Sequence, residues 1–315
     1  MLNALILFTA CSSASDVDGP TLQWWDDSAS PTDTAKPVED TGEPTPEPPV
    51  EPAPTTDFRS PGNQAGSTTT GTFTASGNCR LDWTWYQPTD TEVTGTVILS
   101  HGFMRNQNRM TGWGEHLSSW GIGVVTATLC HSSIFDIDSE QNARDMIALA
   151  DHLDIGTRLF MGHSNGGAVS IIAAALDTQA VAVLGLDPVD ARGEPAAEFV
   201  GQLSVPAYAL MGESSSCNSS ASGTSLFLTG SENRVLKVTE SDHCDFESPS
   251  DWVCTTACNG SNRTFDDESL QATIRGLSTA FAAWMLGQDA TGERWWHDGG
   301  DAFDELSSAG AISTL

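Results

Sequence analysis

Residues 158–176 read "RLFMGHSNGGAVSIIAAAL": a short apolar run, then Gly162-His163-Ser164-Asn165-Gly166, then an alanine-rich segment. At this chain's glycine and serine frequencies about 0.3 matches to G-x-S-x-G arise by chance, so the flanks carry the weight. A strand must precede the serine and a helix must follow it. The apolar "RLFMGH" and the helical pattern of 165–176 fit both requirements. On so sharp a strand-to-helix turn the serine sits in a disfavoured backbone geometry, and its neighbours two residues away must lack side chains. Gly162 and Gly166 meet that need, and Gly167 eases close packing of the helix. Ser164 also stands at a helix start, whose dipole favours developing negative charge.

Working outward, apolar runs alternate with helical segments. Residues 68–76 and 80–86 read as strands of an antiparallel edge, and 95–102, 122–130, 158–163, 180–187, 205–213 and 233–243 as further strands. Helical patterns cover 111–121, 139–153, 165–176 and 267–287. Continuous apolar strands separated by helices imply an α/β fold, a mostly parallel central sheet with helices on both faces. Ligands of such sheets bind beyond the carboxyl ends of the strands, so polar residues there are the ones that matter.

A serine nucleophile needs a base, an orienting acid and an oxyanion site. His243 follows the last predicted strand in a polar loop and is the candidate base. Two carboxylates end intervening strands, Asp187 after "AVAVLGL" and Glu213 after "VPAYALMG". Either can hold the far nitrogen of His243. The backbone N–H groups of Asn165 and of Phe103, in the "HGF" loop after "VILS", are the oxyanion candidates. Phe103, Met104, Trp113 and Trp252 are candidates for an apolar acyl-binding wall. No metal or organic cofactor is required by this chemistry.

Composition sets the surroundings. The net charge is −29, from 42 acidic and 13 basic residues, which argues against nucleic acid and anionic membranes as partners. Residues 12–60 are dominated by Pro, Thr, Ser, Asp and Glu and read as a disordered tether. The segment 1–11 is too short to span a bilayer and resembles an export signal, with "FTAC" similar to a bacterial lipoprotein box in which Cys11 is lipidated. Six further cysteines, 79, 130, 217, 244, 254 and 258, favour disulfides in an exported chain, with 15 pairings open. Cys217 and Cys244 flank the site region, and disulfides from one or both are expected to hold the histidine loop. The domain is expected over 61–297, with 298–315 as a tail.

The order Ser164, acid, His243 resembles that of the α/β-hydrolase superfamily over roughly residues 68–290. "SHGF" (100–103), "GHSNGG" and "DHCDF" are similar to segments of the branch holding chlorophyllases, platelet-activating-factor acetylhydrolases and polyester-degrading cutinases. "GLDPVD" (185–190) is similar to the chlorophyllase segment that carries the acid, which implies Asp187, 23 residues after Ser164. The cutinase pattern would instead imply Glu213. The resemblance implies an exported or cell-surface bacterial serine hydrolase. It is expected to be monomeric, to act on small-molecule, lipid or polymer esters, and to reach a membrane only through Cys11. Lipase, phospholipase or polyester hydrolase activity is the alternative within the fold. A catalytically inactive surface binding module is the alternative outside enzymology.

Overall fold

The computed structural model describes residues 53–315 except 191, 192, 194, 230, 231 and 259–262. The proposed export signal, Cys11 and most of the tether lie outside the described residues.

Nine strands form the central sheet: β1 (Gly66–Thr74), β2 (Arg80–Pro88), β3 (Thr96–Ser100), β4 (Gly123–Ala127), β7 (Arg158–His163), β8 (Ala180–Leu186), β9 (Ala207–Met211), β10 (Asn233–Val238) and β11 (Ile312–Thr314). Their order is β1-β2-β4-β3-β7-β8-β9-β10-β11. Strands β4, β3, β7, β8, β9 and β10 run parallel, while β1, β2 and β11 pair antiparallel at the edges. A separate two-stranded hairpin, β5 (Ser132–Ser133) and β6 (Asp136–Ile137), leaves the sheet after β4.

Helices α1 (Thr111–Ser119), α6 (Asp267–Met285) and α7 (Asp301–Ser308) cover one face. Helices α2 (Ser139–His152) and α3 (Asn165–Leu176) cover the other, together with the single turn α4 (Thr224–Phe227). A seventh helix, α5 (Trp252–Cys258), stands outside both cores. The two-residue period of a strand explains the division. Val97 and Leu99 of β3 point into the core beneath α1 and α6, and Ile98 points into the core beneath α2 and α3. Helix α3 is buried on almost every side, which its mostly apolar composition allows. Its N-terminus is thereby fixed at the carboxyl edge of the sheet.

The domain extends beyond both expected boundaries. Residues 298–315 are no tail: α7 buries Ala302, Phe303 and Leu306, and β11 adds a strand beside β10. Both are short, and their apolar residues gain burial only against the 3-10 turn Ala290–Trp295 and the β10–β11 pair, so neither stood out in the sequence. At the other end Phe58 is 1% exposed, with ring centroids 4.8 Å from Trp120 and 6.1 Å from Trp295. The carbonyl of Phe58 accepts a hydrogen bond from His116 Nε2 at 3.1 Å. The end of the stretch assigned to the tether is therefore part of the core. No described helix is long and apolar enough to cross a membrane.

Emptying the Phe58 socket leaves a cavity among large aromatic rings, and such truncations cost about 3–5 kcal/mol. Phe58→Ala is expected to lower the unfolding free energy by that amount in urea titration. A fully disordered segment would lose nothing.

Candidate active site

The carboxyl ends of β3, β7, β8 and β10 converge on one cleft of about 460 Å³. Ser164 closes β7 at φ 55°, ψ −127°, a left-handed conformation that costs a serine strain. The glycines make it feasible. A Cβ on Gly162 would lie 2.0 Å from the Gly166 carbonyl oxygen, and one on Gly166 would lie 2.3 Å from the Ser100 oxygen. The Ser164 N–H donates to Leu186 O at 3.0 Å, and its carbonyl accepts from the N–H groups of Gly167 and Val189, both at 2.9 Å.

The loop after β3 lies against the serine. A Cβ on Gly102 would come within 2.9 Å of Ser164 Cβ. His101 pins this loop: its Nε2 accepts from Leu129 N–H at 2.9 Å, so Nδ1 carries the proton and donates to Gly102 O at 2.8 Å. Burial pushes the His101 pKa down to about 4. Phe103 lines the cleft. Met104, at φ 56°, turns the chain away and donates its N–H to Ser132 O at 2.7 Å. On the far side, Asn165 Nδ2 donates to Ser139 Oγ at 3.0 Å, which steadies the first turn of α3.

Asp187 follows β8 and is fully buried. Its Oδ2 lies 2.6 Å from His243 Nδ1. Oδ1 accepts from Gly212 N–H at 2.9 Å, and Asn218 Nδ2 sits 3.2 Å from both oxygens. The carboxylate thus has fixed donors on each side, as an orienting acid requires. Glu213 is not brought to His243. Its carboxylate meets Lys237 Nζ at 2.6 Å and the Glu240 N–H at 3.0 Å, near the half-exposed edge of β10. The longer side chain is drawn to a cation that the sequence places one residue before the end of β10.

Among the sequence candidates for an acyl wall, Phe103 and Met104 line the cleft. Trp113 does not. It is buried in the core, where its Nε1–H donates to Phe246 O at 2.9 Å and so props the chain just beyond His243. Trp252 is exposed on α5, beside the cleft-lining Val253 but outside the cleft wall.

A sequence model of the PET hydrolase-like family matches residues 47–272. The chain belongs to this family. No curated protein matches it. PET hydrolase-like proteins are serine hydrolases of carboxylic esters with the α/β-hydrolase fold, and the sheet order and helix layers agree with that assignment.

Three contacts of this PET hydrolase-like chain were not legible as site features. Asn218, in the serine-rich loop after β9, is buried and bridges Asp187 to the Glu213 carbonyl at 2.8 Å. His163, beside the nucleophile, donates from Nε2 to the carbonyl of His243 at 2.9 Å, with ring centroids 4.6 Å apart. Burial holds it neutral, well below the ordinary histidine range. Arg105 forms a bidentate pair with the buried Glu247, at 2.5 and 2.6 Å, tying the loop after β3 to the loop that carries His243. Each depends on residues far apart in sequence, which a local pattern does not encode.

Disulfides complete the frame. Cys79–Cys130 joins the start of β2 to the end of the β4 segment. Cys244–Cys254 and Cys217–Cys258 fasten α5 to the residue after His243 and to the residue before Asn218. The sulfurs of Cys244, Cys254 and Cys258 lie within 4.8 Å of one another, but each is spent in a disulfide, which leaves no thiolate to ligate a metal.

Two expectations follow from this geometry. Chain entropy assigns about 4 kcal/mol to the 51-residue separation of Cys79–Cys130 and about 3 to the 10-residue separation of Cys244–Cys254. The paired Cys79→Ser/Cys130→Ser change is expected to lower Tm more. The Cys244→Ser/Cys254→Ser pair is expected to lower kcat/KM more, because it frees the histidine loop. Calorimetry beside ester kinetics separates the two.

The second concerns pH. Burial takes His101 and His116 from 6.5 to about 4 in the folded chain. Between those values the unfolded chain binds protons that the folded chain refuses, so stability falls as pH drops through the window and the contribution levels off below it. Each histidine accounts for about 3 kcal/mol. Urea unfolding at stepped pH checks this, and His116→Gln should reduce the slope by about one proton.

Proposed function

We propose that the protein hydrolyses carboxylic esters through an acyl-enzyme on Ser164, with His243 as general base and acid and Asp187 as the orienting carboxylate. The observation that carries this reading is the 2.6 Å contact between Asp187 Oδ2 and His243 Nδ1, with both residues buried and His243 and Ser164 lining one cleft. His243 takes the proton from Ser164 Oγ as the oxygen attacks the ester carbonyl. Asp187 keeps the imidazole in the tautomer with the proton on Nδ1 and stabilises the imidazolium. The carbonyl oxygen becomes an oxyanion held by the N–H groups of Phe103 and Asn165, each donor contributing about 3–4 kcal/mol. His243 then protonates the departing alcohol. Water attacks the acyl-enzyme by the same route in reverse and releases the acid.

The cleft favours an apolar acyl or aromatic acid group, since Phe103, Met104, Val253 and Ala257 face it. The family description supports a polyester or similarly hydrophobic ester ahead of a phospholipid, and the acidic net charge of −29 opposes an anionic membrane substrate. Three disulfides support an oxidising, extracytoplasmic location, with attachment through Cys11 as the route to a cell surface. The strong net charge also favours a monomer, because copies repel.

Turnover of a short-chain nitrophenyl ester tests the assignment. Ser164→Ala is expected to abolish it, and Asp187→Asn to lower kcat by about 10⁴-fold through the wrong imidazole tautomer. Glu213→Gln, which loses only a half-exposed ion pair, should stay within about two-fold. A loss confined to the Glu213 variant would overturn the acid, and full activity of Ser164→Ala would overturn the mechanism.

A further inference from the structure

Eight large apolar side chains are exposed among the described residues, and six of them cluster on segments at the mouth of the cleft. Phe135 is 92% exposed and Ile134 62% at the tip of the β5–β6 hairpin, with Ile137 on its return strand. Trp252 is 77% exposed at the start of α5, followed by Val253. Met104 completes the set from the loop after β3. Apolar groups scattered singly over a surface need no explanation, but a concentration at one place marks an interaction site.

The segments are mechanically joined to the cleft. The Met104 N–H bonds to Ser132 O at the base of the hairpin, and His131 Nδ1 lies 2.9 Å from Asp136, bracing the hairpin across its strands. The α5 segment is bolted to the residue after His243 by Cys244–Cys254. Met104 and Val253 have one side in the cleft and the other in solvent. The rim is thus a continuation of the cleft's apolar lining outward, on two sides of the opening.

Charge selects the occupant. The chain carries −29, and the hairpin adds the exposed Asp136 to the rim, while near α5 Arg105 and Arg109 meet Asp251 at 3.2 and 2.8 Å and Arg105 also meets Glu247. Both cations are spent on carboxylates and are not offered to an anionic headgroup. An uncharged apolar phase is what remains attractive to such a surface.

We propose that the hairpin tip and α5 form a docking rim that seats the enzyme on the uncharged surface of an undissolved ester phase, with the cleft opening onto it. Phe135, Ile134 and Trp252 enter that phase. They do not contact the reacting atoms, so they govern adsorption rather than turnover of dissolved ester. The proposal rests on the ester-hydrolase reading for its choice of phase, but adsorption is measurable without catalysis.

Full-length Ser164→Ala protein, which leaves the droplets intact, is mixed with a tributyrin emulsion, and depletion from the aqueous phase is measured after centrifugation. Ile134→Ser/Phe135→Ser and Trp252→Ser, added to that background, are each expected to weaken partitioning at least about ten-fold. The same changes in the active protein should leave turnover of a dissolved nitrophenyl ester within about two-fold, which also reports that the variants fold. Unchanged partitioning would overturn the proposal, as would stronger binding to phosphatidylglycerol vesicles than to the neutral droplets. So would parallel loss of dissolved-ester turnover, or a dimer on size-exclusion chromatography that these substitutions dissociate. Adsorption without any ester turnover by the wild type would sink the ester-hydrolase reading and leave the docking rim standing.

Discussion

Ser164 stands at φ 55°, ψ −127°, and the backbone of two separate segments closes around it so tightly that a methyl group on Gly102, Gly162 or Gly166 would collide with main chain or with the serine itself. Strain of this kind persists only where the surroundings over-determine it. Here they do: parallel pairing of β7 with β3 and β8 fixes the strand, and burial of α3 on nearly all sides fixes the helix. The turn between them has nowhere else to go. The same crowding brings the loop after β3 against the nucleophile. Close backbone approach, rather than any one side-chain bond, is what assembles the cleft.

Around that turn burial decides where the polar side chains go and which partners they need. Asp187 is dry, so its oxygens need fixed donors, and Gly212, Asn218 and His243 supply them. Glu213 lies one strand away with a similar charge, but Lys237 holds it at the edge. Two buried neutral histidines, 101 and 163, bond to backbone carbonyls of the loops that carry Phe103 and His243. Their low proton affinity is part of the design, since a protonated ring in either place would leave a buried charge beside the cleft.

The parallel sheet and its helices were legible because hydrophobic periodicity and glycine placement are local signals. Ser164, Asp187 and His243 stood out as candidates because each ends or follows a strand pattern, where the fold puts ligands. On the residues alone Asp187 was favoured over Glu213 only by its shorter, stiffer side chain: both end strands, and the Lys237 contact that separates them exists only once β9 and β10 are paired. Trp113 and Trp252 were misjudged for a related reason. A tryptophan on a short helix has the same appearance whether it props a core, as Trp113 does, or stands in solvent, as Trp252 does. Phe58, α7 and β11 escaped notice because short segments bury themselves only against partners distant in sequence.

Helix α5 ties the compartment to the chemistry. It has seven residues and buries no side chain, and an isolated helix of that length does not hold together in water. What stabilises it is covalent: one disulfide to the residue after His243 and one to the residue before Asn218. Those bonds let the segment present Val253 and Ala257 to the cleft without a core of its own to support them. The apolar wall, the position of the histidine loop and the bridge to Asp187 therefore depend together on an oxidising environment. Reduction would also open Cys79–Cys130, which ties the start of β2 to the segment after β4, so the sheet would lose stability at the same time. The α5 wall that meets substrate would be left to the Asp251 ion pairs with Arg105 and Arg109 and the Asp251 bond to Cys254 N–H.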